Sequence, residues 1–252
     1  MSELQPVVLT GLGAITTRGD YTLQGALNQR PAPGALGSIE GFELGNYLAS
    51  PKTYLDRASS LALAGCALAL KDAGVETPVA GSDFGITLGT HFGCVETMKA
   101  FWDKAQEKGV RLANPLLFSH SYFNSPISLC AIEFGLKGYH GTFCAGQNSG
   151  TEAVRAAFDA IRLGHAGAVV CGGVDAVSPT RQLVVPSEQN TEASVFFVLE
   201  SAAHAQARNA RHAVPLSVEW FDALNLETTQ TLFGDCGGAL GALALLTAVQ
   251  VG

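Results

Sequence analysis

Charge is scarce in this 252-residue sequence: Asp, Glu, Lys and Arg make up 15%, against 47% hydrophobic residues. That balance excludes an intrinsically disordered chain, which needs the opposite composition. Basic residues are scarcer still, 15 against 22 acidic ones, for a net charge of −7. No positive face is expected for a nucleic acid or for anionic lipid. The six cysteines (Cys66, Cys94, Cys130, Cys144, Cys171, Cys236) include no Cys-x-x-Cys pair and no Cys/His cluster at zinc spacing, so no metal site is expected. They read as reduced, buried thiols of a cytosolic protein. The N-terminus lacks a basic segment followed by an apolar core, so no signal peptide is expected. The uncharged stretch 236–252 falls short of the ~20 residues of a bilayer span and contains glycines, so it reads as a buried helix and no membrane span is expected. The cytoplasm is the expected location.

What is abundant is small: Ala and Gly together make up about a quarter of the chain, which suits layers of helix and sheet that approach closely. The length allows one large domain. Short apolar runs at 6–15, 83–89, 141–146, 166–174, 194–199 and 214–221 read as buried strands. Helical spacing predicts helices over 56–73 (stopped by Gly74), 95–108, 125–134, 149–163 (stopped by Gly164) and 237–249. The 95–108 helix carries the densest charge and is expected to be exposed. Residues 20–49, including Pro31-Ala32-Pro33-Gly34, read as turns and loop. Buried strands alternating with helices imply an α/β fold with helices on both sheet faces. No composition break marks a linker, so a single domain over 1–252 is expected.

Two motifs fail on inspection. Gly11-Leu12-Gly13 follows a strand, but the third glycine of a dinucleotide fingerprint would fall at Thr16. Gly146-Gln147-Asn148-Ser149-Gly150 places its serine one position too late for a hydrolase nucleophile elbow. The six histidines (91, 120, 140, 165, 204, 212) read as ordinary surface or loop residues.

The segment 131–175 is more telling. Gly138-Tyr139-His140-Gly141-Thr142-Phe143-Cys144-Ala145-Gly146-Gln147-Asn148-Ser149-Gly150-Thr151-Glu152-Ala153 is followed by a helix and by Val169-Val170-Cys171-Gly172-Gly173-Val174-Asp175. It resembles the nucleophile region of the β-ketoacyl-ACP synthases, the condensing enzymes of fatty acid and polyketide synthesis. Val8 to Thr16, Asp56-Arg57-Ala58-Ser59, Lys71-Asp72-Ala73-Gly74, Arg111, Asn114-Pro115 and Asn124 agree in order, so the resemblance covers roughly residues 7–200. It implies a thiolase-like layered αβαβα fold with a shortened C-terminal half, and neither cofactor nor metal.

In that family a nucleophilic cysteine sits at a sharp turn between a strand and a buried helix, whose N-terminus favours a thiolate. Counting from Gly138 forwards and from Ser149-Gly150-Thr151 backwards, both without a gap, puts Gln147 at that position. Cys144, in Thr142-Phe143-Cys144-Ala145, is the competing assignment. It requires a three-residue shift of the strand, which turns its side chains to the other face; otherwise Cys144 is a buried strand cysteine. The segment from Gln230 to Ala242 resembles the family's Lys-Ser-x-x-Gly-His region, with Gln230 at the lysine and Asp235 at the histidine. The loop carrying the other histidine has no counterpart. A carboxylate cannot donate to an enolate oxyanion unless protonated.

Glutamine at the nucleophile position occurs in two kinds of relative: malonyl-ACP decarboxylases, which keep the histidines, and chain-length factors, which pair with an active synthase. The resemblance therefore implies a non-condensing chain-length-factor-like subunit. Its expected partners are a complete β-ketoacyl-ACP synthase, as a heterodimer through the strand around 141–145, and acyl carrier protein. Leu117, Phe118, Tyr122 and Phe123 are candidates to line the acyl channel and limit its length, or else are ordinary core residues. Decarboxylation through Gln147, condensation through Cys144, and a scaffold that binds acyl carrier protein or a synthase without tuning the product remain open. Polyketide-like lipids, aryl polyenes among them, are the class of product implied. A shortened second half is expected to leave apolar surface uncovered, against a solitary monomer.

Overall fold

A computed structural model describes residues 4–28, 35–50 and 52–249; the Pro31-to-Gly34 loop lies outside them. In chain order the elements are β1 (Val7–Thr16), β2 (Gly19–Tyr21), α1 (Leu23–Asn28), α2 (Arg57–Asp72), β3 (Phe84–Gly89), α3 (Val95–Lys108), α4 (Pro115–Ser119) and α5 (Ser125–Phe134). Then follow β4 (His140–Phe143), α6 (Ser149–Arg162), β5 (Ala168–Asp175), α7 (Pro179–Val184), β6 (Ala193–Ser201) and α8 (Ala202–Ala207). The chain closes with β7 (Val214–Leu216), α9 (Glu219–Asp222), α10 (Leu226–Phe233) and α11 (Leu240–Val249).

The strands form one mixed sheet in the order β2-β1-β6-β5-β3-β4, with β7 also paired to β1. β3 runs parallel to β4 and β5, while β6 is antiparallel to both β5 and β1. Period-two alternation divides the strand side chains between two cores. Val169, Cys171, Val195 and Phe197 face α6 and α11, and Val170, Val174, Phe196 and Val198 face α2 and α5. The result is one sheet between two helical layers, three of the layers in the αβαβα stack that the resemblance implies.

The Gly11-Leu12-Gly13 motif finds its reason in packing. A Cβ on Gly13 would lie 2.4 Å from the Ala69 amide nitrogen, and one on Gly11 2.6 Å from the Ala73 Cβ. These glycines let α2 lie directly on β1; no phosphate is needed to explain them.

Several expectations need correcting. The 214–221 run is a strand only to Leu216; Trp220 and Phe221 then turn on a short helix and are buried. Residues 20–49 contain β2 and α1, and the 141–146 strand starts at His140 and stops at Phe143. Short helices opened by local caps were missed. Ser178 Oγ accepts from Arg181 N at 3.0 Å, Ser201 Oγ from His204 N at 3.2 Å, and Asn225 Oδ1 from Thr228 N at 2.8 Å. Five cysteines are buried, but Cys144 is exposed. Of the 236–252 stretch, the described residues form a 3-10 turn, Gly237–Ala239, and α11; 250–252 lie outside them. Among the described residues no helix is long and apolar enough to cross a membrane.

The helical layer of α6 and α11 is not left open. Leu240, Leu243, Leu245 and Leu246 are at most 1% exposed, covered by Trp220, Phe221 and Phe233 of α9 and α10. Trp220 Nε1 donates to the Leu245 carbonyl at 3.2 Å. A group of exposed apolar side chains lies around α3 and α4: Trp102, Val110, Leu112, Leu116, Phe118 and Tyr122.

Candidate functional site

The site is built where β4 gives way to α6. The strand ends at Phe143, and Gly146 takes a left-handed φ of +62°, which lets the chain reverse into the 3-10 turn Gly146–Asn148. Ser149 fixes the turn: its Oγ accepts from Ala145 N at 2.9 Å and donates to the Gly146 carbonyl at 2.6 Å. Gln147 stands on this turn, half-buried.

From the other side comes the segment between α10 and α11. Gly234, with φ +79°, ends α10, and Asp235 is then held by its main chain. Its N–H donates to the Gln189 carbonyl at 2.7 Å, and its carbonyl accepts from Thr191 N at 2.8 Å and Arg181 Nη2 at 2.7 Å. Its Oδ1 accepts from Gly237 N at 2.9 Å, so the side chain also caps the Gly237–Ala239 turn. The Arg181 Nη2 stands 3.7 Å from the same oxygen.

These supports bring the three positions singled out by counting into one place. Gln147 Nε2 donates to Asp235 Oδ1 at 3.3 Å and to Gln230 Oε1 at 3.4 Å. A cavity of about 260 Å³ opens beside Gln230, lined also by Leu36, Gln189, Glu227, Thr231 and Gly234. The cluster holds two amides and a carboxylate. Among the described residues no imidazole is hydrogen-bonded to any of the three.

Cys144 lies three residues before Gln147, just beyond the strand. Although the residue is exposed, partial desolvation of its sulfur pushes the thiol up, and the charge of Asp175 pushes it further the same way. That is the reverse of the depression that makes a nucleophilic thiolate. No histidine among the described residues is bonded to it.

Two residues escaped sequence reasoning. Arg181 is wholly buried; Nη1 donates to the Ala176 and Thr191 carbonyls at 3.1 and 3.2 Å, and the guanidinium lies 4.7 Å over the Phe92 ring. A buried arginine on a short surface-like helix gives no sequence signal. Asp175, also wholly buried, accepts from Thr90 Oγ1 at 2.8 Å, from the amides of His91 and Phe92 at 2.7 and 2.9 Å, and from Gly238 N. It ties the loop after β3 to the turn after Asp235. The reach is possible because residue 238 lacks a side chain: a Cβ there would lie 2.6 Å from His91 N. The Gly-Gly-Val-Asp motif pointed to this position without its role.

Phe118 and Tyr122 meet edge to face at 5.0 Å, and Phe101 lies 5.5 Å from Phe118. Phe118, Tyr122 and Phe123 are 47%, 49% and 37% exposed and Leu117 is half-buried, so within the single chain the three rings are not core residues. Phe123 packs over Gly93, whose added Cβ would fall 2.7 Å from its ring. His204, read as an ordinary loop residue, instead pairs with the buried Glu200.

Comparison with known proteins agrees with this architecture. The family model "Beta-ketoacyl synthase, N-terminal domain" matches residues 6–195. The 3-oxoacyl-[acyl-carrier-protein] synthase 2 of Synechocystis sp. is 27% identical over 193 residues, covering 69% of this chain and 46% of that protein. The chain thus spans about half the length of the curated relatives it matches. Among solved structures, a β-ketoacyl synthase from Burkholderia phymatum superposes with a TM-score of 0.74 at 17% identity, covering 98% of this chain and 86% of that one. The ishigamide ketosynthase/chain length factor gives 0.68 at 22% identity, covering 82% and 61%. At these identities the superpositions speak for a shared fold. With three quarters of its length matched by the family model, the chain belongs to the β-ketoacyl synthase family.

Proposed function

We infer that this chain is a non-condensing, chain-length-factor-like subunit. It pairs with a complete β-ketoacyl-ACP synthase and shapes the channel for the growing acyl chain. The observation that carries the reading is the Gln147–Gln230–Asp235 cluster. Where the family resemblance expects thiol, lysine and imidazole, two amides and a carboxylate are hydrogen-bonded to one another. Condensation needs a nucleophile, and this cluster holds none; the N–H groups of Gln147 are turned to Asp235 and Gln230. Condensation through Cys144 is disfavoured by its raised thiol.

The partner face is the free edge of β4. Tyr139 and Phe143 turn their carbonyls to β3, so the main-chain groups of His140 and Thr142 point outward and can take a partner strand. The exposed aromatic rings around Phe118 supply the other half of the reading: a face that is apolar and uncovered in one chain becomes a channel wall when a second chain closes over it. Acyl carrier protein delivers the chain to the synthase. A polyketide-like or fatty-acid-like product, aryl polyenes among them, and a cytoplasmic site of action complete the proposal.

The test is co-expression with the full-length synthase encoded nearest to it. A one-to-one complex whose product length changes when this chain is omitted supports the reading. A synthase that ignores the chain and makes the same product without it overturns it.

A further inference from the structure

Asp175 closes β5 with a wholly buried carboxylate, and every polar group turned toward it is a donor. Its Oδ1 accepts from Thr90 Oγ1 at 2.8 Å and from the amides of Phe92 and Gly93 at 2.9 and 3.3 Å. Its Oδ2 accepts from His91 N at 2.7 Å and from Gly238 N. Thr90 Oγ1 in turn accepts from Gly93 N at 2.8 Å. Three successive main-chain amides, those of His91, Phe92 and Gly93, are thus wrapped around one carboxylate. The loop after β3 takes its shape from a side chain on β5.

Phe123 rests on that loop. Gly93, at φ +53°, offers the ring bare backbone: an added Cβ would lie 2.7 Å from Phe123 Cδ1 and 3.3 Å from its Cα. Phe118 and Tyr122 lean on each other at 5.0 Å, whereas Phe123 leans on the loop. We propose that Asp175 is a positioning residue: through Thr90 and Gly93 it sets how far the Phe123 ring stands out from the α4–α5 connection, and with it the depth left to an acyl chain. The inference rests on the channel reading above and names the group that holds the wall in place. Asp175→Asn keeps one acceptor and turns an NH2 toward N–H groups, so part of the loop must let go. Thr90→Val removes the hydroxyl that donates to Asp175 and accepts from Gly93, and Thr90→Ser keeps it.

The test replaces Phe123 by 4-fluorophenylalanine and reads its fluorine NMR resonance in the purified full chain. Phe221, in the core on the α11 side of the sheet, is labelled in the same way as a control. D175N and T90V are expected to shift or split the resonance at 123 and to leave that at 221 unmoved; T90S is expected to keep both. In the complex with the synthase, unlabelled D175N and T90V are expected to give longer products, and T90S the wild-type products. If D175N does not fold, T90V against T90S decides. A resonance at 123 that T90V leaves in place overturns the proposal. A resonance that moves while product lengths stay those of wild type overturns it too, and the subunit reading stands if omitting the chain still changes the product. A synthase indifferent to the wild-type chain overturns the subunit reading, and the channel half of this proposal with it.

Discussion

His204 Nδ1 lies 2.5 Å from the Glu200 carboxylate, and Arg208, the residue that caps the end of α8, grips the same wholly buried group, with Nε 2.8 Å from Oε2. Thr10 Oγ1 donates to it from β1, and Arg208 Nη1 donates to the Ala73 carbonyl at 2.8 Å. One carboxylate thus fastens β6, α8, β1 and the end of α2.

A stability optimum on the acid side of neutral follows from this cluster. Burial works to raise Glu200, but hydrogen bonds from Arg208, His204 and Thr10 outweigh it and hold the group at about 2. Its contribution is present above the ordinary carboxylate value of 4.5 and is lost as pH falls toward about 2. His204 is raised by its bond to Glu200, against the opposing effect of burial. Its contribution is full below the ordinary 6.5 and is lost as pH rises through the raised value. Urea midpoints between pH 3 and 9 are expected to fall on both sides, and H204L is expected to flatten the alkaline decline alone. An unchanged alkaline limb in H204L counts against this account.

Trp220→Ala opens the cover over α11. Trp220 is 8% exposed and touches both Phe197 and Phe221. A loss of about 3–5 kcal/mol is expected, read as a lowered urea midpoint with the same slope. A loss below about 1 kcal/mol would mean that α9 does not seal the layer.

Phe118→Ala separates channel from core. Its ring is 47% exposed, so the isolated chain is expected to change by less than about 0.5 kcal/mol. In the complex with the synthase, the products are expected to lengthen, as seen by mass spectrometry of the released acyl chains. Unchanged products would remove Phe118 from the channel wall.

Thr142→Pro tests the edge. The substitution removes an outward N–H while leaving the carbonyls of Tyr139 and Phe143 on β3, and edge strands tolerate proline. A folded chain that binds the synthase at least about tenfold more weakly is expected, since a lost hydrogen bond and a lost β-contact together exceed ~1.4 kcal/mol. Undiminished binding would move the interface elsewhere.

The strands covered on both faces and the long helices were legible because unbroken apolar runs and helical spacing report burial directly: α2 and α6 begin and end within a residue or two of their expected bounds. Gln147, Gln230 and Asp235 were legible by counting along the chain, although nothing in the sequence said that they touch. The 214–221 segment misled because β-branched and aromatic residues also suit a short buried helix; Ser217 and Val218 start that turn by accepting from Trp220 N and Phe221 N. Arg181 and the Glu200–His204 pair were invisible for a different reason. Arg181 takes its partners from Ala176, Thr191 and the remote Asp235, and Glu200 sits at the end of a strand whose unbroken apolar run gave no hint that a carboxylate there is buried among His204, Arg208 and the remote Thr10.

The brevity of β4 sets a limit on growth. It is four residues long, and the far side of the sheet is finished by the three-residue β2 and β7. Were β4 to take the strand of a second chain as proposed above, β2 and β7 on the other side of the described sheet would offer a third chain only three-residue templates.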